Sequence, residues 1–242
     1  MEIVLINQLR GVAFIFMFIY HYFVFLKILK NNDYLNNYFI DIIGIVSRNI
    51  FILLIGVSLY LSYSKSKNFN EYKKKQLERT IKIYFIAIII TLFTYYTIYD
   101  YYIVFGVLHF ISIAILLLHP FVNNFIILII ILFVCIYFQL NKYTIYSQNS
   151  FINYIYSIIG LNIYKNTMDA FSLIKWMPNI IIGIFIGYIT LNIIKKNKKK
   201  YKKIQNTNNI FTYYLSIIGK NTLILYLIHF PIIYFIIKFI FN

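Results

Sequence analysis

Residues 10–21 read RGVAFIFMFIYH, an apolar stretch with Arg10 at one end and His21 at the other. In a helix, eleven residues make about three turns at ~3.6 residues per turn, so both side chains leave nearly the same face. At ~1.5 Å rise per residue they stand about 16 Å apart along the axis. Ionisable groups are costly in hydrocarbon, and a pair placed there is a functional candidate by default.

The rest of the chain makes hydrocarbon the expected surroundings. Of 242 residues, 61% are hydrophobic and 12% charged, where a soluble domain carries about 25% charge. Several apolar runs exceed the ~18 residues that mark a membrane-spanning helix. The expected architecture is all-α: one polytopic membrane helix bundle over residues 1–242, with no polar stretch left for a second domain. Seven spans are read, near 8–29, 39–63, 80–99, 102–118, 121–139, 178–195 and 211–238. The last is long for one crossing, and its span is expected to start near Asn221. The first apolar stretch lacks the basic start and small-residue cleavage site of a signal peptide, so it is read as a helix that stays.

The net charge of +16 reads as topology, with no nucleic-acid partner implied. Lys65, Lys67, Lys73, Lys74, Lys75, Arg79 and Lys82 fall in one inter-helix segment. Lys195, Lys196, Lys198, Lys199, Lys200, Lys202 and Lys203 fall in another. Positive segments stay cytoplasmic. With four spans between the two segments, the N-terminus is expected inside and the C-terminus outside. Segment 140–177 then lies outside. It is too apolar for a free loop, so it is expected to lie on the membrane or cap a cavity as an amphipathic piece.

His21 falls near mid-depth, where a neutral imidazole suits general-base work. Arg10 reads either as a snorkelling interfacial anchor or as a guanidinium fork for phosphate. Arg48 sits within an apolar helix. Asp41 lies seven residues earlier, about 10 Å away along the axis, too far to pair with it. Arg48 is therefore either an ion-pair member or a substrate contact, and Asp41 a solvated carboxylate near the outer surface. His109 lies about a third of the way in from the outer face. His229 precedes Pro231, which cannot donate to the Leu227 carbonyl, leaving either a packed kink or a polar lining. His119 is read as an unremarkable helix-end residue, Asp169 as a loop carboxylate and Trp176 as an interfacial belt residue. The single cysteine, Cys135, reads as helix packing. The four histidines lack ligand-type spacing, so no metal is expected. Gly219–Lys220–Asn221 lacks the upstream glycine and hydroxyl of a phosphate loop.

Taken in order, RGVAFIFMFIYH, FILLIGVSLYLSYSKS, YKKKQLERTIKIYFIAIIITLFTYY, YYIVFGVLHFISIAILL, WMPNIIIGIFIGY and IGKNTLILYLIHFPII resemble the heparan-alpha-glucosaminide N-acetyltransferase catalytic-domain family in its prokaryotic form. That family is a branch of the transmembrane acyltransferase superfamily, and the resemblance covers nearly the whole chain. It implies a multi-pass acetyltransferase of the plasma membrane. Acetyl-CoA would donate from the cytoplasm, and a sugar amine or hydroxyl on the other side would accept. By the same resemblance His21 would be catalytic, as base or acetyl carrier. Arg48 would line the transfer path, where thioester chemistry gives a cation the developing oxyanion to stabilise, and Arg10, Lys75 and Arg79 would hold the CoA end. Asp41, His109 and His229 would belong to the substrate path. Animal lysosomal members place the proposed catalytic histidine in the loop after the first helix. This chain has no histidine between Lys27 and Ile40, so the role moves to His21. The competing class is a small transporter or channel with an Arg/His-lined path, but the inverted repeats expected of one are not visible.

Overall fold

The computed structural model describes residues 4–30, 38–162, 167–196 and 209–241. These are 86% helical, without a strand among them. The helices are α1 (Val4–Lys30), α2 (Tyr38–Lys65), α3 (Phe69–Thr97), α4 (Val107–Leu118), α5 (Phe125–Asn141), α6 (Ser150–Ile159), α7 (Leu173–Lys196), α8 (Ile210–Lys220) and α9 (Thr222–Phe241). Among the described residues, five helices are long and apolar enough to cross a membrane: α1, α2, α3, α7 and α9. The fourth and fifth expected spans form shorter apolar helices of 12 and 17 residues.

Local chemistry sets the boundaries where hydropathy alone misplaced them. Helix α3 starts at Phe69, well before residue 80. Asn68 Oδ1 accepts from the Glu71 amide at 2.8 Å, and Glu71 Oε2 accepts from the Lys67 amide at 3.0 Å. This is a reciprocal cap, followed by lysines and glutamate that favour helix. Helix α4 starts at Val107, where Asp169 Oδ2 accepts from the Val107 amide at 3.0 Å. Asp169 is thus a cap for α4 more than a solvated loop carboxylate. Helix α7 starts at Leu173 and carries Pro178 inside it. Proline cannot bond the carbonyl four residues back, and Gln139 Nε2 fills that vacancy by donating to the Ile174 carbonyl at 2.7 Å. The long last helix is divided at Asn221, whose amide returns to the Ile217 and Ile218 carbonyls.

The chain divides into two compact units, Met1–Leu54 with Thr190–Asn242, and Ile55–Ile189. In the first, α1 packs mainly against α8, and also against α9. Gly11 and Gly219 allow that contact. A Cβ on Gly11 would collide with the Leu215 carbonyl, and one on Gly219 with the Asn7 carbonyl. Small residues serve this purpose where backbones must approach closely.

In the second unit, α3 packs on α4. A Cβ on Gly56 would strike the backbone of Ile180 and Ile184, which brings α2 and α7 together there. Trp176 is buried against Phe171, with ring centroids 5.0 Å apart. It is a packing residue more than the exposed belt residue expected. His119 is also buried, its Nδ1 within 3.1 Å of the Ile115 carbonyl and 3.0 Å of the Leu116 carbonyl, where it closes the end of α4. Segment 140–177 contains the amphipathic α6. Gly160 ends it at φ 107°, a left-handed conformation that glycine adopts without strain.

Candidate functional site

The site is assembled in the first unit from α1, the first half of α2 and α9. On α1 the buried residues include Phe14, Met17, His21 and Phe25. The 3.6-residue period puts these four on one stripe, and Arg10 lies on its extension, half-buried at the helix start. Helix α2 is pinned to this helix by a buried hydrogen bond, Ser47 Oγ donating to the Ala13 carbonyl at 2.8 Å. Its neighbour Arg48 is half-buried.

Helix α9 supplies His229, which is 1% exposed; His21 is 4% exposed. His229 Nε2 lies 3.1 Å from His21 Nδ1, and His229 Nδ1 lies 2.6 Å from the Tyr226 carbonyl oxygen. Aromatic rings enclose the pair. Phe230 stands 4.9 Å from His21 and 4.2 Å from His229, Tyr20 stands 5.5 Å from His21, and Tyr226 stands 4.8 Å from His229. His21 therefore faces protein and a second imidazole, not acyl chains. Two buried imidazoles in hydrogen-bond contact can hand a proton from one ring to the other in a place where water competes little.

The structure thus brings together two of the residues singled out from the sequence, His21 and His229, and the Ser47 bond to Ala13 holds the helix of Arg48 against α1 one residue away from it. Arg10 is three turns away on α1, its Nη1 donating to Asn7 Oδ1 at 3.4 Å. Asp41 is exposed in the first turn of α2. His109 belongs to the second unit, where it is buried between the rings of Tyr84 and Phe105, 5.8 and 5.7 Å away. Lys75 and Arg79 sit one turn apart near the start of α3, Lys75 exposed and Arg79 half-buried. Arg79, seven residues after Tyr72, borders the inward stripe of Tyr72, Gln76 and Thr80, and Lys75 lies further round toward the outward face. An i, i+4 pair of cations suits a polyanion such as a nucleotide phosphate. Of the second basic segment, Lys198, Lys199, Lys200, Lys202 and Lys203 lie outside the described residues.

Two participants were missed from the sequence. Ser47 anchors the helix that carries Arg48, and the Tyr226 carbonyl holds the far nitrogen of His229. Tyr226 is three residues before His229, so a side chain returning to its own preceding turn was a legible signal. Ser47 offered none, because its acceptor is thirty-four residues away.

The second unit contains a cavity of about 280 Å³ walled by residues from 154–162 and 167–175 and by Val104 and Phe105 ahead of α4. Its lining includes Phe105, Tyr154, Ser157, Thr167, Phe171 and Lys175. It joins aromatic faces to hydroxyls and one cation, the mixture usual in small-ligand pockets. The wall is tied down by the Phe171 amide donating to the Phe105 carbonyl at 3.1 Å and the Met168 amide donating to the Tyr101 carbonyl at 2.9 Å.

Comparison with curated proteins and with solved structures returns no match. The family model described as heparan-alpha-glucosaminide N-acetyltransferase, catalytic, matches residues 3–231. That match takes in both imidazoles, Arg48 and the cavity wall, and the chain belongs to this family of membrane acetyltransferases.

Proposed function

We propose that this protein moves an acetyl group from cytoplasmic acetyl-CoA to a sugar amine or hydroxyl presented from the other side of the membrane, with His21 as the catalytic base. The observation that carries the reading is the buried contact between His21 and His229 in a chain of an acetyltransferase family.

In the direct form of the reaction, His21 takes the proton of the acceptor N–H or O–H. The acceptor atom bonds to the thioester carbonyl carbon, and negative charge develops on the carbonyl oxygen, where Arg48 stabilises it. The C–S bond then breaks, and the departing thiolate takes the proton from His21. Arg10, Lys75 and Arg79 bind the phosphates of the donor. Asp41 and His109 belong to the acceptor path. The donor is large and charged and cannot cross lipid, so only the two-carbon unit passes.

The topology that goes with this has seven crossings in one integral-membrane domain, the N-terminus inside, in a plasma membrane. The helices α2 and α7 contribute residues to both compact units, consistent with one working domain. Two basic cytoplasmic segments require an even number of crossings between them, which the four helices α3, α4, α5 and α7 satisfy.

The experiment is acetyl transfer by the purified protein in vesicles, with labelled acetyl-CoA and glucosamine, comparing wild type with His21→Ala. Transfer lost in the variant supports the reading. Transfer or donor hydrolysis unchanged by the variant removes His21 from the chemistry. Solute uptake by the vesicles without acetyl-CoA would favour a transporter.

A further inference from the structure

We infer that His229 is a positioning residue that fixes the tautomer of His21, leaving Nε2 of His21 as the basic atom. The inference rests on the acetyltransferase reading for its role and on geometry for its substance. A carbonyl oxygen can only accept a hydrogen bond. His229 Nδ1 lies 2.6 Å from the Tyr226 carbonyl oxygen, so it must carry a proton. In a neutral His229 the other nitrogen, Nε2, is then an acceptor. That acceptor lies 3.1 Å from His21 Nδ1, which must therefore donate. A neutral His21 with its proton on Nδ1 has its lone pair on Nε2, and this is the atom left to take a proton from an acceptor.

The relay runs in one direction, from the α9 backbone through two rings to α1. It gives a second histidine a role beside the apolar rings of Phe14 and Phe230, neither of which can accept a hydrogen bond from His21. When His21 becomes an imidazolium, its Nδ1–H continues to donate to His229 Nε2, so the charged form keeps its partner in the interior. The charged and titratable groups around the pair are Arg48 on α2, Tyr20 on α1 and Tyr226 on α9. Arg48 is a cation with no lone pair to offer His21 Nδ1, and His229 Nε2 is the acceptor that this nitrogen meets, at 3.1 Å. The tautomer of a histidine is set by the bond its other nitrogen makes, and a histidine side chain in water favours the proton on Nε2. Removing His229 should therefore move the His21 proton to the nitrogen that must be free for catalysis.

The test is ¹⁵N NMR of the full-length protein labelled at histidine, with His21 resonances assigned by their loss in His21→Gln. Wild type should show His21 protonated on Nδ1, and His229→Phe should show the proton on Nε2. Acetyl transfer in His229→Phe should fall at least about tenfold in kcat with the donor KM unchanged, a part of the roughly hundredfold or more that a positioned base supplies. His229→Gln offers an oxygen to accept from Nδ1 and should keep most of the rate. It also serves as the test variant if the phenylalanine protein does not fold. A wild-type His21 protonated on Nε2, or a tautomer unchanged in His229→Phe, overturns the relay. A protein that shows the expected tautomers but no acetyl transfer supports the relay and counts against the acetyltransferase reading, so the two failures are distinct.

Discussion

The backbone of Gly219 approaches that of Asn7 so closely that a Cβ would overlap the Asn7 carbonyl. Asn7 is one turn before Arg10 on the helix that carries His21, and Gly219 precedes the break that launches the helix of His229. The registration of α1 on α8 therefore governs how the two histidines meet.

Gly219→Ala should lower thermal stability by about 1–3 kcal/mol, the usual cost of overpacking a tight contact. Because the obstacle is backbone and cannot rotate away, acetyl transfer should fall with it. Thermal unfolding of the purified protein checks the first outcome, and labelled acetyl transfer checks the second.

Gln139 and Pro178 should be energetically coupled. Gln139→Leu strips the Ile174 carbonyl of its donor at a cost of about 1 kcal/mol. In a Pro178→Ala background the helix supplies its own amide, and the same change should cost roughly half as much or less. A double-mutant cycle in thermal stability measures the difference; strict additivity would refute the substitution of one donor for the other.

Arg48→Met should reduce kcat by roughly 10²–10³, the scale for losing an oxyanion partner, with the donor KM nearly unchanged. Arg48→Lys should recover part of the rate, because charge is kept while the planar fork is lost. A variant affected only in KM would make Arg48 a binding residue.

The exposed turn between α4 and α5 separates two topologies. With seven crossings, Asn123 is cytoplasmic. If only α1, α2, α3, α7 and α9 crossed, Asn123 would share a side with residues 143–149. Asn123→Cys and Ser147→Cys, each in a Cys135→Ala background, should react with a membrane-impermeant thiol reagent from opposite sides in intact cells. Reaction from the same side would reduce the count to five.

Much of the site was already legible in linear form. Buried charge is costly in lipid whatever the fold, so Arg10, His21, Arg48 and His229 stood out from the apolar residues around them. The pairing of His21 with His229 was not legible, because 208 residues separate them and periodicity carries no information across helices. His109 shared the same signal as the other two histidines, yet it packs between Tyr84 and Phe105. Boundaries failed where hydropathy and helix formation part company. The lysine-rich first turns of α3 are helical without being apolar, and Pro178 sits inside α7 because Gln139 answers for its missing amide.

Composition and periodicity alone determined that this is an all-helical chain with membrane-crossing segments, because burying apolar side chains in lipid and satisfying the backbone within each helix are local requirements. Only the tertiary structure decided which polar side chains meet. That depends on backbone clearance at Gly11 and Gly219, on the Ser47 bond to Ala13, and on a carbonyl that orients one imidazole so that it can orient another.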